Sequence, residues 1–249
     1  MDLLQGLYGL SGLLTGLLIW AAFYAAKKGK ERRAAAGIGE SDKIKRHDLP
    51  PVRWLDGEDS PTGRRVLDCR AFALGVQLWT QDKTAVEKFH RVSRSDGGEL
   101  DGQCPVNAWL VDVGWRFDSE QAEQIALGMR PQTTEDMWLI DCRDGRLYFR
   151  RSWTGQLVFM ANWSLIPTAG ATISRIWVSG EEPFGDRTPD YVAAYVRHLI
   201  DTHLLNTLTP FPIPPDFPHD DRKIAAFVFH SVGRRGWLAE YFATAENKV

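Results

Sequence analysis

This 249-residue chain has two arginine pairs whose residue type and spacing are suited to binding an anion. Arg150 and Arg151 adjoin in the middle of the chain, and Arg234 and Arg235 lie between two glycines just before a predicted helix. A guanidinium offers fixed N–H donors that match the oxygens of phosphates and carboxylates. The four side chains therefore define a candidate anion-binding site. Three neighbours of the first pair are candidates for the same site: Ser152, Trp153 and Thr154.

A strand through the first pair would send Arg150 and Arg151 to opposite faces, because side chains alternate along a strand. One of the two would then point inwards, where a guanidinium needs a carboxylate partner or a bound anion. A structural interpretation stays open beside the binding one. In it, the Ser and Thr hydroxyls satisfy a turn and the Trp ring fills the core.

Signatures of metals, cofactors and common catalytic machinery are missing from the sequence. His198 and His203 are five residues apart on one predicted helix, the wrong spacing for a shared metal, and no HExxH motif occurs. The three cysteines match no zinc-ligand spacing. The His-Asp-Asp run at residues 219–221 is more typical of a helix cap than of a cation site. We predict no metal and no cofactor, and no catalytic residue can be singled out.

The hairpin around the first arginine pair carries a recognisable pattern. Trp138 and Ile140 precede a short turn, and residues 147–149 and 151–155 follow it. This W-x-I, L-Y-F-x-R-S-W-T-G pattern resembles a motif of uncharacterised bacterial proteins and covers residues 138–155. The resemblance implies no established chemistry. It suggests that residues 151–154 act as a unit, and that the chain has a bacterial accessory role such as immunity or defence.

The sequence pattern over residues 66–249 predicts an α+β domain, whose strands and helices would position these residues. Residues 137–179 consist of apolar runs separated by turn signals, among them Asp144-Gly145. An Asp-Gly pair supplies the positive φ angles that a tight hairpin needs. The pattern predicts a meander of about four antiparallel strands, to which residues 107–117 add a fifth.

Helices should pack on this sheet. Thr188 followed by Pro189 is a helix-start signal, because proline suits the first turn. Residues 223–232 are apolar enough for a buried helix or strand, and residues 236–245 predict a helix that closes the chain. The predicted fold class is α+β, with an antiparallel sheet of four to five strands, helices packed on it, and a single N-terminal transmembrane helix in front.

An uncharged apolar segment at residues 3–26 predicts that transmembrane helix. Its length at 1.5 Å per residue is about 36 Å, more than a hydrocarbon core of about 30 Å. Five cations follow in residues 27–33, and a Lys/Arg excess marks the cytoplasmic flank. We therefore expect a single-pass inner (plasma) membrane protein with its N-terminus outside and a cytoplasmic domain. Gly12 and Gly16 would allow close helix–helix packing, and residues 27–65 predict a basic tether.

Charge favours a binding role over nucleic-acid chemistry. The net charge is −2, and residues 54–249 hold 21 Lys/Arg against 27 Asp/Glu, which argues against a nucleic-acid partner. We predict a membrane-tethered cytoplasmic binding or regulatory module that recognises a protein partner or forms a homo-oligomer, with residues 3–26 contacting lipid. The alternative is an enzyme acting on an anionic or phosphate-bearing small molecule, held by the arginine pairs.

Overall fold

The computed structural model describes residues 51–78, 80, 82–181, 183–184 and 186–243. Within these residues the architecture is α+β, with one sheet of four strands and one of six. The strands are β1 (Arg53–Leu55), β2 (Val66–Asp68), β3 (Trp109–Phe117), β4 (Trp138–Arg143), β5 (Arg146–Arg151), β6 (Leu157–Asn162), β7 (Ser164–Ile166), β8 (Gly170–Val178), β9 (Phe211–Ile213) and β10 (Leu238–Tyr241). The α-helices are α1 (Arg70–Gly75), α2 (Lys83–Arg94), α3 (Ser119–Ala126), α4 (Pro189–Leu199) and α5 (Asp221–Val232). Shorter helical turns lie at Gly57–Asp59, Gly98–Leu100, Ile200–Leu204 and Gly233–Arg235.

The six-stranded sheet has the order β3-β8-β6-β5-β4, with β7 paired to β8, and its strand pairs are antiparallel. β4 and β5 form a hairpin in which Ile140 lies opposite Phe149. Asp144 and Gly145 make its turn with φ angles of 49° and 68°. Such a turn matches the right-handed twist of the flanking strands. The predicted hairpin and the predicted strand that became β3 are therefore confirmed.

The four-stranded sheet has the order β1-β2-β10-β9, in which the β9–β10 pair is parallel. Its strands have only three or four residues, too few for a period of two to stand out in the sequence. The predicted closing helix over residues 236–245 is wrong. Leu238 and Ala239 are instead fully buried in β10, which pairs with β2 on one side and β9 on the other. β1 lies within the segment predicted as a tether, so this sheet begins before residue 66.

Helix α4 lies between the two sheets and connects them through Tyr195. The Tyr195 ring centroid is 5.8 Å from that of Phe159 on β6 and 5.1 Å from that of Phe211 on β9. Thr188 caps the helix by accepting a backbone N–H of the first turn at 3.3 Å, and Pro189 follows it. The predicted start of this helix is confirmed.

The predicted fold class needs two corrections. The single sheet of four to five strands is wrong, because the strands divide into two sheets of four and six. The transmembrane helix is the second correction. None of the helices in the described part of the chain is long and apolar enough to cross a membrane. The longest α-helices among the described residues have 12 residues, which is about 18 Å against a hydrocarbon core of about 30 Å.

The topology that depended on this helix is corrected with it. The predicted inner-membrane localisation, with an outside N-terminus and a cytoplasmic domain, is overturned by the finding on the described helices. Residues 3–26, which carried the prediction, lie outside the described residues, as do Gly12, Gly16 and the tether up to residue 50.

Candidate functional site

Arg150 is the inward-pointing member of the first arginine pair, and carboxylates surround it. Its side chain is 3% exposed, and Nη2 donates to Asp141 Oδ2 at 2.7 Å. Nη1 pairs with Glu99, and Arg130 Nη2 donates to the other oxygen of Asp141 at 2.8 Å. Burial acts to raise the pKa of Glu99, but hydrogen bonds from Ser95 and Arg150 outweigh it, and the pKa is lowered. Both Nη atoms of the buried guanidinium are therefore paired with the protein's own acids, while its Nε has no hydrogen-bond partner among the described residues.

Arg151 contacts the other side of the sheet. Its guanidinium carbon lies 4.4 Å from the ring centroid of Trp138, and Nη1 donates to the carbonyl of Ser231 at 2.9 Å. The same carbonyl accepts from Trp138 Nε1 at 2.8 Å and from the Tyr195 hydroxyl at 3.1 Å. Because the last carbonyls of a helix lack partners within it, these three donors fix the end of α5. Arg151 therefore has a structural role.

The three candidate neighbours also bond to the protein itself. The Ser152 hydroxyl is buried and donates to the Asp136 carbonyl at 2.6 Å. Trp153 Nε1 donates to the Thr134 carbonyl at 2.8 Å. Thr154 Oγ1 accepts the Gln156 N–H at 3.3 Å, within the turn that leads to β6. These contacts favour the structural interpretation of residues 151–154.

The second arginine pair contacts two further groups of acceptors. Arg234 Nη2 lies 3.3 Å from Glu135 Oε2. Arg235 Nη1 donates to the Thr202 carbonyl and to Asn206 Oδ1, each at 2.8 Å. The structure thus gives the four candidate guanidiniums four separate sets of protein partners. It does not gather them around one anion site.

His198 and His203, the two histidines on one helix, are buried side chains. Burial is the main cause that lowers the pKa of each imidazole to about 3. His203 Nε2 lies 3.2 Å from the Val232 carbonyl, and His198 Nδ1 lies 3.2 Å from the Pro210 carbonyl. Among the described residues, no group of three His, Cys, Asp or Glu side chains could hold a metal ion.

A cavity of about 470 Å³ lies elsewhere in the fold, at the four-stranded sheet. It is formed by β1, the residue before β2, the end of β10 and the start of α5. We call it the aromatic cleft, and seven residues line it: Trp54, Arg65, His219, Asp221, Ile224, Glu240 and Tyr241. Of the arginines singled out from the sequence, none belongs to this lining.

Aromatic rings form the walls of the cleft. The rings of Trp54 and Tyr241 are nearly parallel, at 11°, with centroids 6.2 Å apart. The His219 ring centroid is 4.5 Å from that of Tyr241. Ile224, on the first turns of α5, is fully buried and closes the apolar side. The lining therefore consists mainly of aromatic rings, with Ile224 as its one aliphatic side chain.

Local sequence explains how the walls are held. Asp220 caps α5 by accepting the Lys223 N–H at 3.0 Å, so the helix begins at Asp221. Asp221 Oδ1 accepts a hydrogen bond from Trp54 Nε1 at 2.9 Å, which joins β1 to the helix start. Tyr241 is positioned by β10, where it lies opposite Ile213 of the parallel strand β9.

No known family identifies this site. No family model matches the chain, no curated protein is detectably similar in sequence, and no solved structure is detectably similar in fold.

The chemistry of the cleft must then follow from its own residues. Two carboxylates, Asp221 and Glu240, outnumber one guanidinium, Arg65. Burial raises the pKa of Glu240, and Arg64, whose Nη2 lies 3.1 Å from Glu240 Oε1, acts in the opposite direction. Aromatic faces attract cations through their negative π clouds, and carboxylates add to that attraction. Because Arg64 already pairs with Glu240, the aromatic rings and Asp221 are the parts of the cleft that suit a cationic group.

Sequence reasoning missed the cleft because its residues are far apart in the chain. The hydrogen bond between Trp54 and Asp221 spans 167 positions. Only the run at residues 219–221 was singled out, and the structure confirms its interpretation as a helix cap. Trp54 lay in the predicted tether, and Tyr241 in the predicted closing helix. Neither carried a local signal for a binding site.

Proposed function

We propose that this domain is a non-catalytic recognition module, which binds a protein partner by accepting one of the partner's cationic side chains in the aromatic cleft. The observation that carries the proposal is the pairing of aromatic walls with two carboxylates in one cavity of about 470 Å³. Ligand pockets of this size bury a side chain or a small ligand well. The partner's charge would replace its hydration with π faces and acidic oxygens.

The contacts of the arginine pairs support a binding module over the enzyme alternative. An enzyme that clamps an anion needs guanidiniums facing a shared pocket. Arg150 and Arg151 instead bond to carboxylates and to a helix-end carbonyl, and Arg234 and Arg235 bond to other protein acceptors. The Arg-based enzyme hypothesis receives no support from these contacts.

Titration with matched small probes tests the proposal. The probes are N-acetyl-arginine amide and N-acetyl-lysine amide, with N-acetyl-norleucine amide as the neutral control. Binding is followed by the NMR signal of the Trp54 indole N–H, which is assigned by comparison with Trp54→Phe. We expect the cationic probes to shift this signal at concentrations where the neutral probe does not.

Substitution of the wall gives the second part of the test. A cation–π contact contributes about 0.5–2 kcal/mol, so Trp54→Leu should weaken binding by about 2- to 30-fold. Because this variant lacks the Trp54 indole, binding to both variants is followed by the backbone N–H signal of Tyr241, which also lines the cleft. Trp115→Leu is the matched control, because Trp115 is also partly buried but lies on β3 of the other sheet. Equal response to the neutral probe, or equal loss in both variants, would contradict the proposal.

A further inference from the structure

One side chain of this protein already makes the contact proposed for the partner. The guanidinium carbon of Arg65 lies 5.1 Å from the ring centroid of Trp54. Arg65 Nε also lies 3.6 Å from Asp56 Oδ1, and both of these side chains are 67% exposed. The Trp54 face of the aromatic cleft is therefore occupied in the free protein by a guanidinium from the residue just before β2.

We infer that Arg65 is an internal occupant of the cleft, and that the partner's side chain which displaces it is an arginine. This inference rests on the proposed function, and it names both the ligand and the way in which access to the site is controlled. In the free protein Arg65 covers the indole. In the complex the partner's guanidinium takes its place, and Arg65 moves into solvent.

An arginine side chain fits the position that Arg65 leaves over the Trp54 ring better than a lysine side chain does. A planar guanidinium stacks on an indole and presents several donors in one plane, whereas an ammonium is a compact, strongly hydrated charge. Asp221 Oδ1 accepts from Trp54, and Oδ2 accepts no hydrogen bond from the described residues. A guanidinium over the indole would thus find an acceptor beside the ring.

The contacts of Arg65 are weak enough to be exchanged. Its pair with Asp56 joins two largely exposed side chains, and such pairs contribute little to stability. An exposed cation–π contact is also modest. Displacing Arg65 therefore lowers the partner's affinity by only about two- to fivefold, which corresponds to about 0.5–1 kcal/mol. The partner's arginine can offset this loss of affinity without any change in the fold.

The decisive experiment compares Arg65→Ala with Arg53→Ala in titrations with N-acetyl-arginine amide. Arg53 is the matched control because it is exposed, adjoins Trp54 in β1, and points to the opposite face of the strand. Both variants lose one positive charge near the cleft. We expect Arg65→Ala to bind the probe about two- to fivefold more tightly than the wild type, and Arg53→Ala to bind it as the wild type does.

The outcomes separate this inference from the proposed function. If the wild type binds cations through Trp54 but Arg65→Ala binds equally or more weakly, Arg65 is part of the wall, and the inference fails while the proposed function stands. If neither protein responds to any cationic probe, both fail. Equal gains in Arg65→Ala and Arg53→Ala would mean a general charge effect and would also overturn displacement. A lysine probe that binds more tightly than the arginine probe would overturn the choice of ligand.

Discussion

Arg150 Nη2 lies 2.7 Å from Asp141 Oδ2, and both side chains are almost completely buried in the six-stranded sheet. The pair joins neighbouring strands, since Asp141 belongs to β4 and Arg150 to β5. Glu99, on the turn after α2, binds the same guanidinium and so attaches the segment before β3 to the sheet. An arginine that looked like a ligand-binding group in the sequence is thus a structural one.

Removing this guanidinium should destabilise the protein strongly. Arg150→Met leaves Asp141 buried with only Arg130 as a charged partner, and breaking a buried ion pair typically lowers the free energy of unfolding by about 3–5 kcal/mol. Urea unfolding measures the change. Arg175→Met is the control, because the pair of Arg175 with Asp112 is largely exposed and should contribute no more than about 1 kcal/mol. Similar losses in the two variants would contradict the structural role of Arg150.

The buried histidines should make stability depend on pH. Burial lowers the pKa of His198 and of His203 to about 3, whereas the unfolded chain titrates near 6.5. Above about pH 6.5 both states are neutral, and the full stability is present. As the pH falls towards about 3, the two imidazoles bind protons in the unfolded state but stay neutral in the folded state. The free energy of unfolding therefore decreases by up to about 1.4 kcal/mol per pH unit for each histidine.

Urea unfolding between pH 7.5 and pH 4.5 checks this dependence. His198→Phe should reduce the slope by about one proton, because it removes one group that cannot be charged in the folded state. His203→Phe should reduce the slope in the same way, because burial also lowers the pKa of His203. A slope that is the same in all three proteins would show that His198 is not buried as a neutral side chain.

Glycine is required where α5 ends. Gly233 has a φ of 74°, and a Cβ at this position would lie 2.0 Å from the Glu135 carbonyl oxygen. Gly63 has a similar φ of 68° but has nothing within 4 Å of the same position. Gly63→Ala should lower the free energy of unfolding by about 1 kcal/mol through backbone strain alone, and Gly233→Ala by clearly more. Equal losses in thermal or urea unfolding would contradict the close approach at Gly233.

The sequence predicted the elements in which several signals agreed. The β4–β5 hairpin combined apolar runs with an Asp-Gly turn, and α4 combined a threonine cap with a proline in the first turn. The four-stranded sheet was missed because its strands have three or four residues, and the apolar end of the chain looked equally suited to a helix. Pairing with two neighbours, rather than local propensity, decides the conformation of β10.

The candidate site was the less predictable part. Arginine type and spacing drew attention to Arg150 and Arg151, but type alone does not tell a guanidinium that binds a ligand from one that binds a carboxylate of the same chain. The aromatic cleft depends on Trp54 and Asp221 meeting across 167 positions. The pairing of β1 with β2 and of β2 with β10 brings Trp54 and Tyr241 together. No single segment of the sequence carries a signal for this pairing.

The three donors on the Ser231 carbonyl have a consequence at the far end of α5. Ser231 and Asp221 lie ten residues apart on one helix, a distance of about 15 Å along its axis. A helix of this length is stiff. The hairpin residues Trp138 and Arg151, which donate hydrogen bonds to one end of α5, therefore also influence the orientation of the other end, where Asp221 accepts a hydrogen bond from Trp54. Substitutions of Arg151 should therefore change the affinity of the cleft for a cationic ligand, although Arg151 does not line the cleft.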